Sequence, residues 1–487
     1  MDENWLVQKA EPKPRHALTD YSIRTCLAAG IVAIVTFKLA FSVAWLSLPA
    51  IVVFAAAMIL ITRAGTSRTA FYVGLAVGLS LAAMELTFFM KIFGQGAIGL
   101  WLLLGLWTAL FSATAQMWQT RRPNQSILWL PGLWMGFEYF RSELYYLRFS
   151  WVTPGLALTE SVFEPLLSVG QFGAGALIVL LAGLLLEIVP RSTTLSVDRG
   201  TTSQRKAINA LFLTAGLWVA VALGRAAFTE YEVATGCEQF CGIQLEFPSE
   251  ALLLERLDEA LQNHPTVPLF VLSEYTFDGP IPDTILKWCR DNDRYVVAGG
   301  KQIEGNTFRN TAFVVDPDGE IVHKQVKAVP IQFMRDGLPA TEQLLWESPW
   351  GKIGFAICYD MSYTRVIDKL IADGAEIIIN PTMDPVDWGP YEHDLHARIP
   401  ICRAREYGVP VFRVASSGVS VAVPSGDGIR KGEYPGQGHF VLFDVVTAKA
   451  AARPIDRIPA LVCVVLTAVI MLMSFLRLPR RSVSTSS

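Results

Sequence analysis

Charged side chains are scarce in this sequence of 487 residues, because Asp, Glu, Lys and Arg together make up 17% whereas hydrophobic residues make up 52%. So few polar side chains cannot coat several separate water-soluble cores, which argues against a string of soluble domains. Positive charge is not in excess either, since the formal net charge is -3. The composition therefore argues against a nucleic-acid partner, which would require a basic surface field.

Signatures of metal and nucleotide binding are also missing. The cysteines, at 26, 237, 241, 289, 358, 402 and 463, include no C-x-x-C pair, and no phosphate loop, dinucleotide fingerprint or H-E-x-x-H motif occurs. His393 and His396 have a spacing that suits a metal but is more typical of a helix surface. We therefore expect no metal and no cofactor. Cys237 and Cys241 either form a disulfide or stay as free thiols, and the sequence leaves both states open.

Long hydrophobic runs at both ends of the chain account for its apolar composition. A helix of ~20 apolar residues crosses ~30 Å of hydrocarbon, and we expect transmembrane helices at 25–43, 44–62, 70–90, 96–117, 127–147, 164–188, 208–226 and 458–477. The fifth segment departs most from this pattern, because Glu138, Arg141 and Glu143 interrupt it. Glu85 in the third segment is either a functional group at membrane depth or a charge paired near Lys91, and we assign it no role.

The orientation in the membrane follows from the basic residues. Lys and Arg concentrate in alternate loops and in the C-terminal tail, which the positive-inside tendency places in the cytoplasm. Parity through seven spans then puts the polar block on the far side of the membrane. The polar start, 1–21, lacks the apolar core of a cleavable signal peptide. The expected organisation is a cytoplasmic segment 1–24, a membrane domain 25–227, an extramembrane catalytic domain 228–457, a transmembrane helix 458–477 and a cytoplasmic tail 478–487.

The block 228–457 alternates short apolar runs with helical patterns. Runs typical of buried strands lie at 268–272, 295–298, 311–315, 353–357, 375–380 and 409–413, and helical patterns lie at 249–263, 283–293, 362–373 and 392–407. Strand and helix in alternation predict a layered α/β domain rather than a β-sandwich.

Three reactive side chains lie at strand ends in this block, where such folds place their chemistry. Glu274 and Cys358 each follow an apolar run, and Lys327 follows the turn at 316–319. Together they can catalyse acyl transfer: the carboxylate moves protons, the amine stabilises an oxyanion and the thiolate attacks a carbonyl carbon. Each residue alone is more often inert or solvated, so the prediction depends on their meeting in one pocket.

The spacing of these residues resembles that of the nitrilase, or carbon-nitrogen hydrolase, superfamily. The segments that carry the resemblance, in order, are Ser273-Glu-Tyr-Thr, Asp316-Pro-Asp-Gly with Lys327 eight residues after the Gly, and Gly354-x3-Cys358-Tyr-Asp. Nearly the whole chain resembles the apolipoprotein N-acyltransferase family, which carries a nitrilase-like domain between a seventh and an eighth membrane helix. The resemblance implies a multi-span α-helical membrane domain joined to an α-β-β-α sandwich.

The resemblance also implies a bacterial inner-membrane enzyme whose catalytic domain is periplasmic. Cys358 would take a fatty acyl group from a phospholipid as a thioester and pass it to the N-terminal amine of a lipid-modified lipoprotein. Glu274 would be the general base and Lys327 the oxyanion partner, with Tyr359 and Asp360 in oxyanion or supporting roles. The implied partners are a phospholipid donor, a lipoprotein acceptor and the membrane. The oligomeric state is not fixed by the sequence, and a monomer is expected.

Departures from the family's pattern keep alternatives open. The family's stretch Y-x-K-x-H-L-V-P-F-G-E is here Gln325-Val-Lys-Ala-Val-Pro-Ile-Gln-Phe333, so Lys324 is a second candidate for the catalytic amine and the loop glutamate is missing. Cys-Tyr-Asp in place of Cys-Tyr-Glu is more usual in soluble nitrilases. The alternative functions are therefore a membrane-anchored nitrilase-type amidase on another amide and a catalytically silent lipid-binding homologue.

Two further expectations concern the pocket. The pKa of the Cys358 thiol should be lowered beside an ammonium, since the thiolate is the nucleophile. The apolar stretch 329–346 is either a lid at the membrane interface or a loop packed on its own domain. Phe333 and Trp346 in this stretch, and Trp388 beyond it, are the candidates for contact with substrate.

Overall fold

The computed structural model describes residues 21–122, 126–188, 197–228, 231–233, 239–423, 430–431, 438–449 and 451–476. Most of the expected N-terminal segment, the C-terminal tail and Cys237 of the expected Cys237/Cys241 pair lie outside these residues. The helices of the first half are α1 Ile23–Ser42, α2 Ser47–Ile61, α3 Ser67–Glu85, α4 Phe89–Phe93, α5 Gly96–Arg121, α6 Ser126–Tyr139, α7 Gln171–Ile188 and α8 Val197–Phe228.

The second half contains the strands and the remaining helices. The strands are β1 Tyr231–Val233, β2 Gln239–Gln244, β3 Leu269–Leu272, β4 Tyr295–Glu304, β5 Thr307–Val315, β6 Ile321–Val326, β7 Leu345–Ser348, β8 Gly351–Phe355, β9 Ile377–Thr382, β10 Val411–Ala415, β11 Val421–Val423, β12 Arg430–Lys431, β13 His439–Asp444 and β14 Val446–Ala448. The helices are α9 Glu250–Asn263, α10 Asp283–Asn292, α11 Thr364–Ala372, α12 Pro390–Tyr407 and α13 Arg457–Leu476.

Seven helical segments of the described chain are long and apolar enough to cross a membrane: Ile23–Ser42, Ala44–Ile61, Ser67–Glu85, Gly96–Arg121, Gln171–Ile188, Gln204–Arg225 and Arg457–Ser474. Each overlaps one of the expected spans. The fifth expected span, 127–147, differs, because α6 ends at Tyr139 and one π-helical turn continues it to Leu144. The chain turns back there, since Arg141 donates a hydrogen bond to the carbonyl oxygen of Phe149 at 3.1 Å.

Two sheets form the middle of the α/β part. The first has the strand order β13-β2-β3-β4-β5-β6, the second has the order β12-β11-β10-β9-β8-β7, and β1 pairs with β14 separately. Alternation along β3 defines the layers: Leu269 and Val271 face the second sheet, whereas Phe270 and Leu272 pack under α9 and α10. Helices α11 and α12 pack on the second sheet. The α-β-β-α sandwich predicted from the sequence is therefore confirmed.

Hydrogen bonds join the α/β sandwich to the membrane part, which consists of helices α1–α8 and α13. In the loop after α6, Trp151 donates its indole N–H to the hydroxyl oxygen of Ser362 at 2.8 Å, close to the end of β8. Before α13, Asp456 accepts the backbone N–H groups of Phe172 and Gly173 at 3.1 and 2.9 Å, at the start of α7. Because buried polar groups that lose their partners are costly, these bonds fix the position of the loop after β8 relative to the helices.

Candidate active site

The three predicted reactive residues meet in one buried place. Strands β3 and β8 both run with parallel neighbours, and Glu274 and Cys358 follow their carboxyl ends on facing sheets. The ammonium nitrogen of Lys327, just after β6, lies 2.8 Å from Oε1 of Glu274. The backbone of Met383 joins the thiol to the carboxylate, since its N–H donates to Oε2 of Glu274 at 2.8 Å and its carbonyl oxygen lies 3.8 Å from Sγ of Cys358.

A second carboxylate holds the ammonium of Lys327. Oδ2 of Asp336 lies 2.7 Å from the Lys327 nitrogen, and the Asn310 amide donates to both carboxylates, at 2.5 Å to Glu274 and at 3.1 Å to Asp336. Tyr275 donates its hydroxyl to Asp336 at 2.6 Å. The family's loop glutamate is missing from the sequence, but the structure places another carboxylate, Asp336, on Lys327. This aspartate lies three residues after Phe333, a shift that motif counting does not detect.

Burial and charge set the protonation of this group. Burial raises the pKa of Glu274. Burial alone would lower the pKa of Lys327, but the negative charges of Asp336 and Glu274 outweigh it and keep that pKa above its ordinary value. Burial, followed by the negative charge of Glu274, raises the pKa of the Cys358 thiol well above its usual range. The expected lowered thiol pKa is therefore wrong, because Lys327 alone does not offset these two effects.

The loop after β8 is held by Asp360. Cys358 has a positive φ of 50°, a left-handed backbone conformation that non-glycine residues rarely adopt and that needs support from its surroundings. The carboxylate of Asp360 accepts backbone N–H groups from Ile357 at 3.1 Å, Ala328 at 3.0 Å and Val329 at 2.7 Å. One side chain thus joins the cysteine loop to the lysine loop. Burial raises the pKa of Asp360 to about 6.

Lys324 and Trp346 lie away from the reactive atoms, whereas Tyr359 lines the same cavity as Cys358. The Tyr359 hydroxyl donates to the carbonyl oxygen of Arg148 at 3.2 Å, so the side chain contacts the membrane part. Lys324 is exposed on β6 and lies 5.8 Å from the ring centre of Phe313, which leaves Lys327 as the amine in the pocket. Trp346 does not line the cavity described below, because it belongs to β7 and is buried there, so this candidate for substrate contact is corrected.

An apolar cavity leads to Cys358 from the membrane part. Its walls are mostly aromatic and aliphatic and come from α4, α5, the loop after α6 and the stretch after Lys327; they are Phe88, Phe89, Ile92, Phe93, Leu100, Leu103, Leu104, Leu147, Phe149, Trp151, Ile331, Phe333, Met334 and Trp388. The Phe333 side chain is 70% exposed, and its ring centre lies 6.3 Å from that of Phe93. Of the three predicted contact residues, Phe333 and Trp388 line this cavity. The stretch that begins at Val329 therefore forms part of the cavity wall.

Polar side chains that line the cavity include Glu392 and His396 on α12, besides Arg148 and Gln332. Glu392 and His396 are fully buried, as is His393, so the expected helix-surface pair of histidines is corrected. The Nδ1 atom of His396 lies 2.8 Å from Oδ1 of Asp384, which is also paired with Arg413. Burial and the charge of Arg413 lower the pKa of His396 to about 4, whereas burial and the charge of Asp384 raise the pKa of Glu392.

The pairing of Glu392 with His396 was not predicted from the sequence, which drew attention only to His393 and His396. Glu392 and His396 are four residues apart in the helical pattern at 392–407, so the pattern does place them on one face. Their burial was not visible in the sequence, because it depends on the membrane part that covers α12. Ligand atoms of Asp384, Glu392 and His396 lie within 4.8 Å of one another, close enough to be considered as a cation site.

Comparison with known proteins covers both parts of the chain. The family description "Apolipoprotein N-acyltransferase N-terminal domain" matches residues 29–184, and "Carbon-nitrogen hydrolase" matches residues 255–444. A relative from Bdellovibrio bacteriovorus named "Apolipoprotein N-acyltransferase" is 28% identical over 147 residues, which are 25% of this chain and 27% of the relative. The chain thus aligns with only about a quarter of the length of that relative.

Two further proteins match different lengths of this chain. A Geobacter metallireducens protein of the same name is 23% identical over 436 residues, which are 74% of this chain and 78% of the relative. The crystal structure of Saccharomyces cerevisiae Nit3, a member of branch 10 of the nitrilase superfamily, is 15% identical and covers 42% of this chain and 89% of that chain, with a TM-score of 0.33.

Proposed function

This chain belongs to the apolipoprotein N-acyltransferase family of the nitrilase superfamily, and from that premise we propose that it transfers a fatty acyl group from a phospholipid to the N-terminal amine of a lipid-modified lipoprotein. One observation carries the proposal. The buried Glu274, Lys327 and Cys358 lie at the end of an apolar cavity whose walls come largely from the membrane part. A water-soluble substrate needs no such wall, whereas an acyl chain does.

The first half of the reaction forms a thioester on Cys358. Glu274 takes the thiol proton, the sulfur attacks the ester carbonyl carbon of the phospholipid, and the ammonium of Lys327 stabilises the developing oxyanion. When the C–O bond breaks, Glu274 returns its proton to the oxygen of the departing lysophospholipid. The raised pKa values of Glu274 and Cys358 suit this exchange, because a proton shared between two such groups moves at little cost.

The second half transfers the acyl group to nitrogen. The neutral amine of the acceptor attacks the thioester carbonyl carbon, a C–N bond forms and the C–S bond breaks. Glu274 accepts the proton that the nitrogen loses and passes it to the departing sulfur, which restores the resting enzyme. Asp336 and Asn310 keep the carboxylate and the ammonium in place through both halves.

The two alternative functions lose support at particular residues. The amidase alternative depended partly on the missing loop glutamate, and Asp336 supplies a carboxylate beside Lys327 in its stead. A catalytically silent lipid-binding homologue has no need for a buried ammonium held between two carboxylates, since such a group is costly to bury. We therefore propose acyl transfer alone.

Complementation with matched variants tests the proposed function. In a strain depleted of its own N-acyltransferase, the wild type and Lys324→Met should support growth, whereas Cys358→Ala and Lys327→Met should not. The Lys pair is matched because both variants remove one ammonium, and only Lys327 contacts Glu274. Intact-mass analysis of the purified wild type given phospholipid should find a fatty acyl thioester on Cys358. Growth with Cys358→Ala, or water as the acyl acceptor with a soluble amide, would refute the proposal.

A further inference from the structure

Three buried polar atoms of Glu392 and His396, which line the cavity, have no hydrogen-bond partner among the described residues. No residue that the structure describes forms a hydrogen bond with either carboxylate oxygen of Glu392 or with the Nε2 atom of His396. The Nε2 atom of His393 lies 3.8 Å from one carboxylate oxygen of Glu392, and the Nδ1 atom of His396 lies 3.6 Å from the other. Because nearly all buried polar groups in folded proteins are hydrogen-bonded, these atoms point to a partner that the described residues do not supply.

The tautomer of His396 follows from its neighbour. Asp384 is paired with Arg413, and this pairing together with His396 keeps the pKa of Asp384 below its ordinary value despite burial. An ionised Asp384 can only accept, so the Nδ1 atom of His396 must carry the proton and donate it at 2.8 Å. The Nε2 atom therefore has a free lone pair. When Glu392 is ionised, as it would be beside a cation, all three unpartnered atoms are acceptors, so a ligand that fits them must donate several hydrogen bonds.

The charges select the kind of donor. Asp384 and Arg413 cancel each other, which leaves the carboxylate of Glu392 as one uncompensated negative charge when it is ionised. A primary ammonium group carries one positive charge and three N–H donors, and so matches both the charge and the number of acceptors. A divalent metal would leave a net positive charge in a buried place, and Nδ1 of His396 is already used.

The position of the cluster selects the molecule that carries the ammonium. Glu392 and His396 line the same apolar cavity as Cys358, so the ligand must combine the ammonium with apolar chains. We propose that Glu392 and His396 form a subsite for the primary ammonium group of a lipid substrate. The choice of substrate rests on the proposed function. The ammonium can belong either to the N-terminal amine of a lipid-modified cysteine or to an ethanolamine headgroup of the donor phospholipid.

Equilibrium binding to the full chain in detergent tests the subsite without turnover. Calorimetric titrations of the Cys358→Ala protein use two pairs of soluble dihexanoyl lipids: a diacylglyceryl-cysteine peptide with a free or an acetylated amine, and phosphatidylethanolamine or phosphatidylglycerol. The ammonium member of at least one pair should bind about 10- to 100-fold more tightly, the range expected for a hydrogen bond to a charged group. The pair that shows the preference identifies the source of the ammonium.

The Glu392→Gln substitution, added to Cys358→Ala, should reduce that preference to less than about threefold. Asp394→Asn is the matched control, because Asp394 is exposed two residues away on α12 and its loss changes the charge equally. Glu392→Gln should not lower the Tm, since it removes a buried carboxylate without a partner.

The proposed subsite would be refuted if Glu392→Gln left the preference as intact as Asp394→Asn does. It would also be refuted if neither pair of lipids showed a preference. A wild type that forms no thioester would instead refute the proposed function and leave these binding constants unaffected. The two failures are therefore distinguishable.

Discussion

At the scale of residues, the thiol of Cys358 is prepared by position rather than by charge. Its sulfur lies 3.8 Å from the carbonyl oxygen of Met383, whose N–H donates to Glu274, while burial and the charge of Glu274 keep the thiol protonated. A stable thiolate would be energetically unfavourable next to lipid, because an isolated charge is costly in an apolar cavity. The nucleophile is therefore expected to form only when a carbonyl group is in place.

The pH dependence of Cys358 alkylation tests this protonation state. With iodoacetamide, the wild-type rate should rise about tenfold per pH unit between about pH 7 and pH 9, since the thiolate is the reactive form and the pKa lies higher. Glu274→Gln removes a negative charge that raises this pKa, so it should alkylate faster at about pH 8 while losing acyl transfer. Peptide mass spectrometry measures the rate, with the exposed Glu255→Gln as control. A wild-type rate that is flat with pH would mean a thiolate at rest.

The sequence predicted the reactive residues but not their supports. Glu274, Lys327 and Cys358 could be found because strand ends and motif spacing both point to them. Asp336 was missed, since its place in the loop is displaced from the family's pattern and only the fold shows that it reaches Lys327. The unpartnered state of Glu392 was missed for a deeper reason, because it depends on which groups from distant segments fail to reach it.

At the scale of elements, long regular patterns were predicted better than short polar ones. The six predicted strands all overlap observed ones, whereas β6, with its polar sequence Ile321-Val-His-Lys-Gln-Val, was not recognised. An edge strand exposes alternate side chains, so it has no continuous apolar run to detect. The stretch 329–346 was treated as one unit, but it divides into a loop that lines the cavity and the start of β7.

The contact between α6 and α13 gives a test at the scale of elements. A Cβ at Gly136 would lie 2.2 Å from the hydroxyl oxygen of Thr467 and 2.4 Å from the carbonyl oxygen of Cys463, whereas at Gly132 the nearest atom is Sγ of Cys463 at 3.5 Å. Gly136→Ala should therefore separate the helices at a cost of about 1–3 kcal/mol and lower the Tm in detergent.

Gly132→Ala is the matched control, one helical turn away in the same contact. It should leave the Tm unchanged or raise it slightly, because alanine favours a helix more than glycine does. Equal Tm values for the two variants would show that the helices do not approach as closely at Gly136 as the structure has them.

At the scale of the whole molecule, the membrane part and the α/β sandwich build the cavity together. Arg403 of α12 donates to the side-chain oxygen of Gln171 in α7 at 3.2 Å and to the carbonyl oxygens of Met361 and Ser362 at 3.0 Å, so it links the cysteine loop to the helices. Lys38 in α1 donates to the hydroxyl of Tyr391, next to Glu392, at 2.8 Å and lies 3.3 Å from Glu85. Glu85, which had no assigned role, is thus part of the contact between the two parts.

The side of the membrane on which the sandwich lies is the remaining condition for the proposed function. Lipid-modified acceptors and the apolar cavity must meet on the extracytoplasmic side, and the alternating basic loops favour that orientation. Single cysteines at two exposed positions test it, Val322 on β6 and Gly65 between α2 and α3, in a Cys237→Ser background. A membrane-impermeant maleimide applied to spheroplasts should label Val322→Cys at once and Gly65→Cys only after permeabilisation. The opposite pattern would put the catalytic residues in the cytoplasm, where a donor from the outer leaflet could not reach Cys358.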